Sequence, residues 1–311
     1  MMELVALCAD ILVRATPLIL AGLAVALAFR AGVLNIGADG QLLAGATFAA
    51  IVGVKFGSIL GWVALPAALV AGAIAGAAWS WIASTLRTRF HVLEVISTIM
   101  LNFVAAYGVS YLVRGPLQEP THIYPQTETI AEGGQLPRIV AGTRLHWGIV
   151  LAIGLAVLLW WILRYTAAGF RVRASGSNPF AAWSAGLIDV TRTTTLAFIV
   201  SGGLAGLAGA VQVCGVTFAL YENISPGYGY TAIAVALLAG LHPIGVIATG
   251  TMFGALEVAA STLQRNANIP ATLASVIEAS IILLVIVARQ VRWRWVGVGE
   301  STEGEIAEGN L

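Results

Sequence analysis

The chain has 311 residues, of which 59% are hydrophobic and 10% charged, with a formal net charge of +1 and a mean hydropathy of +0.89. An ordinary soluble domain carries about 25% charged residues, so the composition excludes one, along with a nucleic-acid binder, which needs a basic surface, and a disordered chain. Lys55 is the only lysine, so there is no Gly-Lys-Ser/Thr phosphate loop, and any ATP must be handled by another subunit.

A bilayer crossing needs about 20 apolar residues in a helix. That criterion predicts an all-α polytopic membrane protein of about eight transmembrane or half-spanning helices, over 9–29, 36–54, 59–83, 92–113, 147–163, 193–218 and 272–288. The stretch 230–263 is too long for one crossing and too short for two; broken by Leu241-His242-Pro243, it reads as a hairpin of short or discontinuous helices. Arg14 interrupts the first segment and leaves a short apolar run behind it. No secretory signal is visible, because the first ten residues are acidic and lack a basic start.

Short cytoplasmic loops retain arginine. Arg87 and Arg89, then Arg164, Arg171, Arg173 and Arg192, and finally Arg289, Arg292 and Arg294 form three clusters. Placing all three inside makes 114–147 an extracytoplasmic loop and 165–192 a cytoplasmic one, with the N-terminus outside. Residues 1–298 then form one transmembrane domain, and the acidic tail 299–311 is expected to be disordered in the cytoplasm.

The first candidate constellation is Gly32-Val-Leu-Asn35-Ile-Gly-Ala-Asp39-Gly-Gln41, where one apolar segment gives way to the next. Polar groups at membrane depth are costly unless they face a cavity or a partner, so these residues either line a pathway or make an interfacial turn. A second glycine-rich break occurs at Ser225-Pro-Gly-Tyr-Gly-Tyr-Thr231. One break in each half of a chain is the pattern of transporters built from repeats, which makes an internal repeat an expectation here.

The third constellation is Arg171-Val-Arg173-Ala-Ser-Gly176-Ser-Asn178-Pro179-Phe180-Ala181-Ala182-Trp-Ser-Ala-Gly186. Asn178 before Pro179 is a helix-start signal, since an Asn side chain caps free amides and Pro suits the first turn. A brief helix ending near Gly186 follows, either an ordinary interfacial helix or a docking element. Glu94, Asn102, Gln212, Glu257, Gln264 and Glu278 are polar residues within apolar segments, where each serves either an interhelical hydrogen bond or a polar pathway. His91, His122, His146 and His242 lack metal-ligand spacing, Cys8 and Cys214 lie in apolar surroundings, and no nucleophile, base and orienter set suggests an enzyme.

The runs Ala28-Phe-Arg-Ala-Gly-Val-Leu-Asn-Ile-Gly-Ala-Asp-Gly-Gln41, Glu94-Val-Ile-Ser-Thr-Ile-Met-Leu-Asn102, Arg114-Gly-Pro-Leu-Gln-Glu-Pro120 and Gly227-Tyr-Gly-Tyr-Thr-Ala-Ile-Ala-Val-Ala-Leu237 occur in that order. Together they resemble the permeases of the branched-chain amino acid and simple-sugar ABC importer superfamily, most closely its nucleoside and simple-sugar branch, over about 14–288. The resemblance implies a multi-pass permease of the bacterial plasma membrane that binds no cofactor and works by alternating access. Its implied partners are a second permease, paralogous or identical, a cytoplasmic ATPase that hydrolyses ATP, an extracytoplasmic substrate-binding lipoprotein and membrane lipid, with no nucleic acid.

Carried onto this sequence, the ATPase-coupling loop comprises Arg173, Gly176, Asn178, Pro179, Phe180, Ala181, Ala182 and Gly186. The translocation-pathway candidates are Asn35, Asp39, Gln41, Asn102, Glu257 and Glu278. Phe180 stands where similar permeases usually carry an acid, and Asp39 where glutamate is commoner. Similar permeases also carry a hydrophobic segment upstream of the first one here. Two rival readings are the same machine importing branched-chain amino acids, and an ion-coupled carrier using Asp39, Glu257 and Glu278.

Overall fold

The computed structural model describes residues 2–184, 186, 188–267, 276, 279, 280 and 283. Among them there is no β-strand, and six helices are long and apolar enough to cross a membrane. Residues 1–255 form one compact unit and the chain from Leu256 onward a second.

Helix α1 (Met2–Arg30) runs unbroken through Arg14 and Pro17. Arg14 breaks the apolar run but not the helix, since arginine is a good helix former; the Thr16 hydroxyl back-bonds to the Leu12 carbonyl at 2.7 Å in the same turn. Beyond Arg14 the helix is apolar on every side, and almost all of it to Ala28 is buried. A helix without a polar face is stable only when neighbours enclose it.

After a short linker, α2 (Ala38–Lys55) turns back, and α3 (Gly57–Leu60) with a 3-10 turn at Gly61–Val63 leads into α4 (Ala64–Phe90). Helix α5 (Glu94–Arg114) follows, its first residue paired with Arg87 of α4 at 3.4 Å. Helices α2, α4 and α9 (Val190–Gln212) meet through glycine. A Cβ on Gly45 would overlap the Gly206 backbone, one on Gly76 the Gly202 carbonyl, and one on Gly209 the Leu42 carbonyl. Lipid gives no hydrophobic drive for helices to associate, so this close backbone approach supplies the packing energy.

Helix α9 continues as a π-helix at Val213–Thr217, a form that widens the turn by one residue. Residues 115–147 fold over this end of the unit. The Thr127, Ile130 and Leu136 amides donate to the carbonyls of Leu220, Phe218 and Cys214 at 2.8–2.9 Å, and the Ile130 side chain is buried against Gly53 and Gly134. Helix α6 (Gly148–Tyr165) starts at this end, with Gly148 against His146 and Val211, and leads to α7 (Ala167–Ser177) and α8 (Pro179–Ser184) at the other.

The expected hairpin within 230–263 forms with its break at 239–242, but only its first arm is short. Helix α10 (Tyr228–Leu238) has 11 residues, too few to cross, whereas α11 (Pro243–Ala267) has 25 and is long enough. The turn between them closes tightly, with Gly240 and Leu241 both at positive φ, so little chain is lost to the loop. In the second unit, the Ser261 and Thr262 hydroxyls back-bond to the carbonyls of Glu257 and Val258. Of the segment predicted at 272–288 only residues 276, 279, 280 and 283 are described, each helical, while Glu278 and the tail 299–311 lie outside the described residues.

Candidate functional site

The linker between α1 and α2 places Asn35 in a fully buried position. Its amide nitrogen donates to Gln41 Oε1 (2.9 Å) and Ser201 Oγ (2.8 Å), and its oxygen accepts from the Gly37 amide and Gln41 Nε2, both at 3.0 Å. Ser201 in turn donates to the Ala24 carbonyl at 2.6 Å. Asn35 thereby uses its full hydrogen-bonding capacity and ties the start of α2 to α1 and α9.

On the opposite side of that helix start, Asn102 lies eight residues into α5, about 12 Å along its axis. Its oxygen accepts from the Gly40 amide (2.8 Å), and its nitrogen donates to the Ile36 carbonyl (3.0 Å) and the Tyr230 hydroxyl (3.1 Å). Gly40 is required there, since a Cβ would come within 2.8 Å of the Asn102 oxygen.

The two glycine-rich breaks meet at Asp39. Its Oδ1 accepts from Ser225 Oγ at 2.7 Å and from the Gly229 amide at 3.0 Å, while Ser225 Oγ accepts from the Tyr228 amide at 3.1 Å. A Cβ on Gly229 would overlap the Asp39 backbone. Free amides at the start of α10 thus face a carboxylate at the start of α2, a favourable placement for negative charge.

Four of the predicted pathway residues, Asn35, Asp39, Gln41 and Asn102, therefore gather in a polar cluster around the start of α2, with Asn35, Gln41 and Asn102 buried and Asp39 half-buried. Glu257 falls in the second unit, and Glu278 outside the described residues. Three members were not singled out from sequence. Ser225 and Tyr230 sit inside the second break, whose glycines drew attention instead, and Ser201 is a single hydroxyl in the apolar part of its helix, after Thr195, with no distinguishing pattern.

At the arginine-rich end, Thr166 caps α7 by accepting from the Gly169 amide at 3.1 Å. Asn178 caps α8 by accepting from the Ala181 amide at 2.9 Å, and Gly186, at φ +71, follows the helix end. The expected short helix therefore forms, though Arg171, Arg173 and Gly176 precede it in a helix of their own, α7. Ala182 is buried, whereas Phe180 and Trp183 stand 74% and 66% exposed with ring centroids 6.3 Å apart.

At the other end, Glu222 accepts from Ser110 Oγ and from Arg114 Nε, both at 2.5 Å, and from Arg114 Nη2 at 2.9 Å. These bonds hold its carboxyl down at about 2. His146 is buried; its Nδ1 accepts from the Gly148 amide at 3.1 Å, and Nε2 has no partner among the described residues. Burial pushes its imidazole down to about 4, so it is neutral.

With this geometry in view, the family described as the permease component of the branched-chain amino acid transport system matches residues 7–287, and the chain belongs to that family. It is similar to the guanosine ABC transporter permease protein NupP of Bacillus subtilis, 37% identical over 89% of this chain and 80% of the relative. The glucose ABC transporter permease protein TsgB13 of Haloferax volcanii is 36% identical over 96% and 80%. The nucleoside ABC transporter permease protein NupB of Lactococcus lactis is 31% identical over 87% and 76%. No solved structure matches. The chain is thus a multi-pass membrane permease of the ABC transporter class and not itself an enzyme.

Proposed function

We propose that this permease forms the translocation pathway of an ATP-driven importer for a nucleoside or a simple sugar. The observation that carries the proposal is the meeting of two helix breaks on Asp39. A broken helix tolerates polar backbone in a bilayer where it lines a cavity. Asn35, Gln41 and Asn102 fix the breaks, while the half-buried Asp39 carboxylate and the Tyr230 hydroxyl offer hydrogen bonds to a polyhydroxylated solute. The nucleoside and glucose transport named for the relatives supports this cargo class.

The chain pairs with a second permease, receives cargo from an extracytoplasmic binding lipoprotein, and takes its motion from a cytoplasmic ATPase that docks on α8. The exposed Phe180 and Trp183 rings enter a groove on that ATPase, and Arg173, Gly176, Asn178, Pro179, Ala181, Ala182 and Gly186 set the helix that presents them. ATPase closure then opens the permease pair alternately to the two sides.

The test is to reconstitute the chain with the permease, ATPase and binding lipoprotein encoded beside it, and to measure uptake of labelled nucleoside, ribose and leucine. ATP-dependent uptake of nucleoside or ribose is expected. Uptake of leucine alone would reassign the cargo, and flux without ATP would overturn the importer reading. Aspartate at both Ala181 and Ala182 should abolish ATPase co-purification while the chain still inserts, and normal co-purification would reject the docking role of α8.

A further inference from the structure

We propose that Arg30 and Arg173 together bind one phosphate-bearing anion, and that the headgroup of an anionic phospholipid fills the site. The ends of α1 and α7 are in backbone contact. A Cβ on Gly32 would lie 3.3 Å from Gly176 Cα, and one on Gly176 would overlap the Arg30 carbonyl. Arg173 lies one helical turn before Gly176 on the same face of α7, close enough for its positive charge to act on that of Arg30.

Nothing among the described residues neutralises the pair. Arg87 pairs with Glu94 and Arg114 with Glu222, whereas for Arg30 and Arg173 no ion pair occurs among the described residues. Arg173 Nη1 is buried with no hydrogen-bond partner among the described residues. A buried guanidinium donor without an acceptor is costly. Two neighbouring guanidinium forks can be met together by the several oxygens of one phosphate, whereas a carboxylate has only two.

The position selects the source. Arg30 closes an apolar span that begins at Glu3, so its charge sits where hydrocarbon ends and headgroups begin. Tyr165 and Phe170, at the same end, are 65% and 59% exposed, as aromatic side chains are at the headgroup level. A headgroup there bridges the joint between α1 and α7, the helix that leads into α8. The inference stands on the family assignment and these contacts, independently of the cargo and of the docking role of α8.

The assembled importer, purified in detergent, would be analysed by native mass spectrometry with added phosphatidylglycerol, phosphatidylcholine or inorganic phosphate. One retained phosphatidylglycerol per copy of this chain is expected, with no comparable retention of phosphatidylcholine or free phosphate. Retention should fall about tenfold in the doubly substituted Arg30→Gln, Arg173→Gln chain and persist in Arg164→Gln, which removes an exposed charge at the same end. If the double variant does not assemble, Arg173→Gln alone provides the comparison. Undiminished phosphatidylglycerol in the variants, or equal binding of inorganic phosphate, would overturn the proposal. Loss of ATPase co-purification with lipid retention unchanged would also overturn it, by pointing to a carboxylate of the partner as the true ligand.

Discussion

Asn102 is a single amide that holds three chain segments. It accepts from Gly40, donates to the Ile36 carbonyl and reaches the Tyr230 hydroxyl. Asn102→Ala leaves a buried backbone donor and a buried carbonyl without partners, a loss of about 2–4 kcal/mol, readable as a lower unfolding temperature in detergent. Asn102→Ala stability matching the parent chain would show that the amide is incidental to the fold. His146 makes a different prediction. Its folded pKa of about 4 lies below the ordinary 6.5, so the unfolded chain takes up the proton first. Stability is then full above pH 6.5, declines as pH falls through that value and levels off below 4, with about 2 kcal/mol lost between pH 7 and pH 5. His146→Gln should flatten that slope in melts taken at the two pH values, and an unchanged slope would place its origin elsewhere. Glu222 contributes in a separate window. Its depressed carboxyl favours the folded state above 4.5, and that contribution is lost as pH falls from 4.5 toward about 2.

Among helices, identical substitutions should give opposite signs. Gly45→Ala and Gly209→Ala push a methyl into the backbones of Gly206 and Leu42, which cannot rotate away, so each should cost about 1–3 kcal/mol and lower the folded yield. At Gly108 of α5 a Cβ meets nothing within 4 Å, and Gly108→Ala should be neutral or stabilising by up to about 1 kcal/mol through helix propensity alone. Folded yields measured side by side decide the matter, and a Gly45→Ala yield equal to that of Gly108→Ala would refute the close-packing account. The same elements show what hydropathy could reveal. It located α4, α5, α6 and α9 because each is a long apolar run. It marked the break between α10 and α11 at Leu241-His242-Pro243 but not the full length of α11, because 230–263 reads as a single apolar stretch to be divided. It gave no sign of the π-helix at Val213–Thr217, where one extra residue per turn leaves composition unchanged.

At the scale of the whole molecule, the candidate site was half legible. Asn35, Asp39, Gln41 and Asn102 stood out because polar side chains in apolar runs demand a reason, and the Asn178-Pro179 start of α8 follows from local capping chemistry. The meeting of the two breaks was not legible, because no local rule relates residues so far apart in sequence. The enclosure of α1 likewise depends on helices that arrive later in the chain, which is why Arg14 read as an interruption although the helix passes through it.

Asp39 and Ser225 are 186 positions apart in the chain yet share one hydrogen bond. The two halves consequently do not vary as separate modules: a change to one break alters what the other will accept. A mutant library that randomises the first break while fixing the second should return few working permeases. Joint randomisation should recover compensated pairs, and a graft of one break from a relative needs its counterpart transplanted with it.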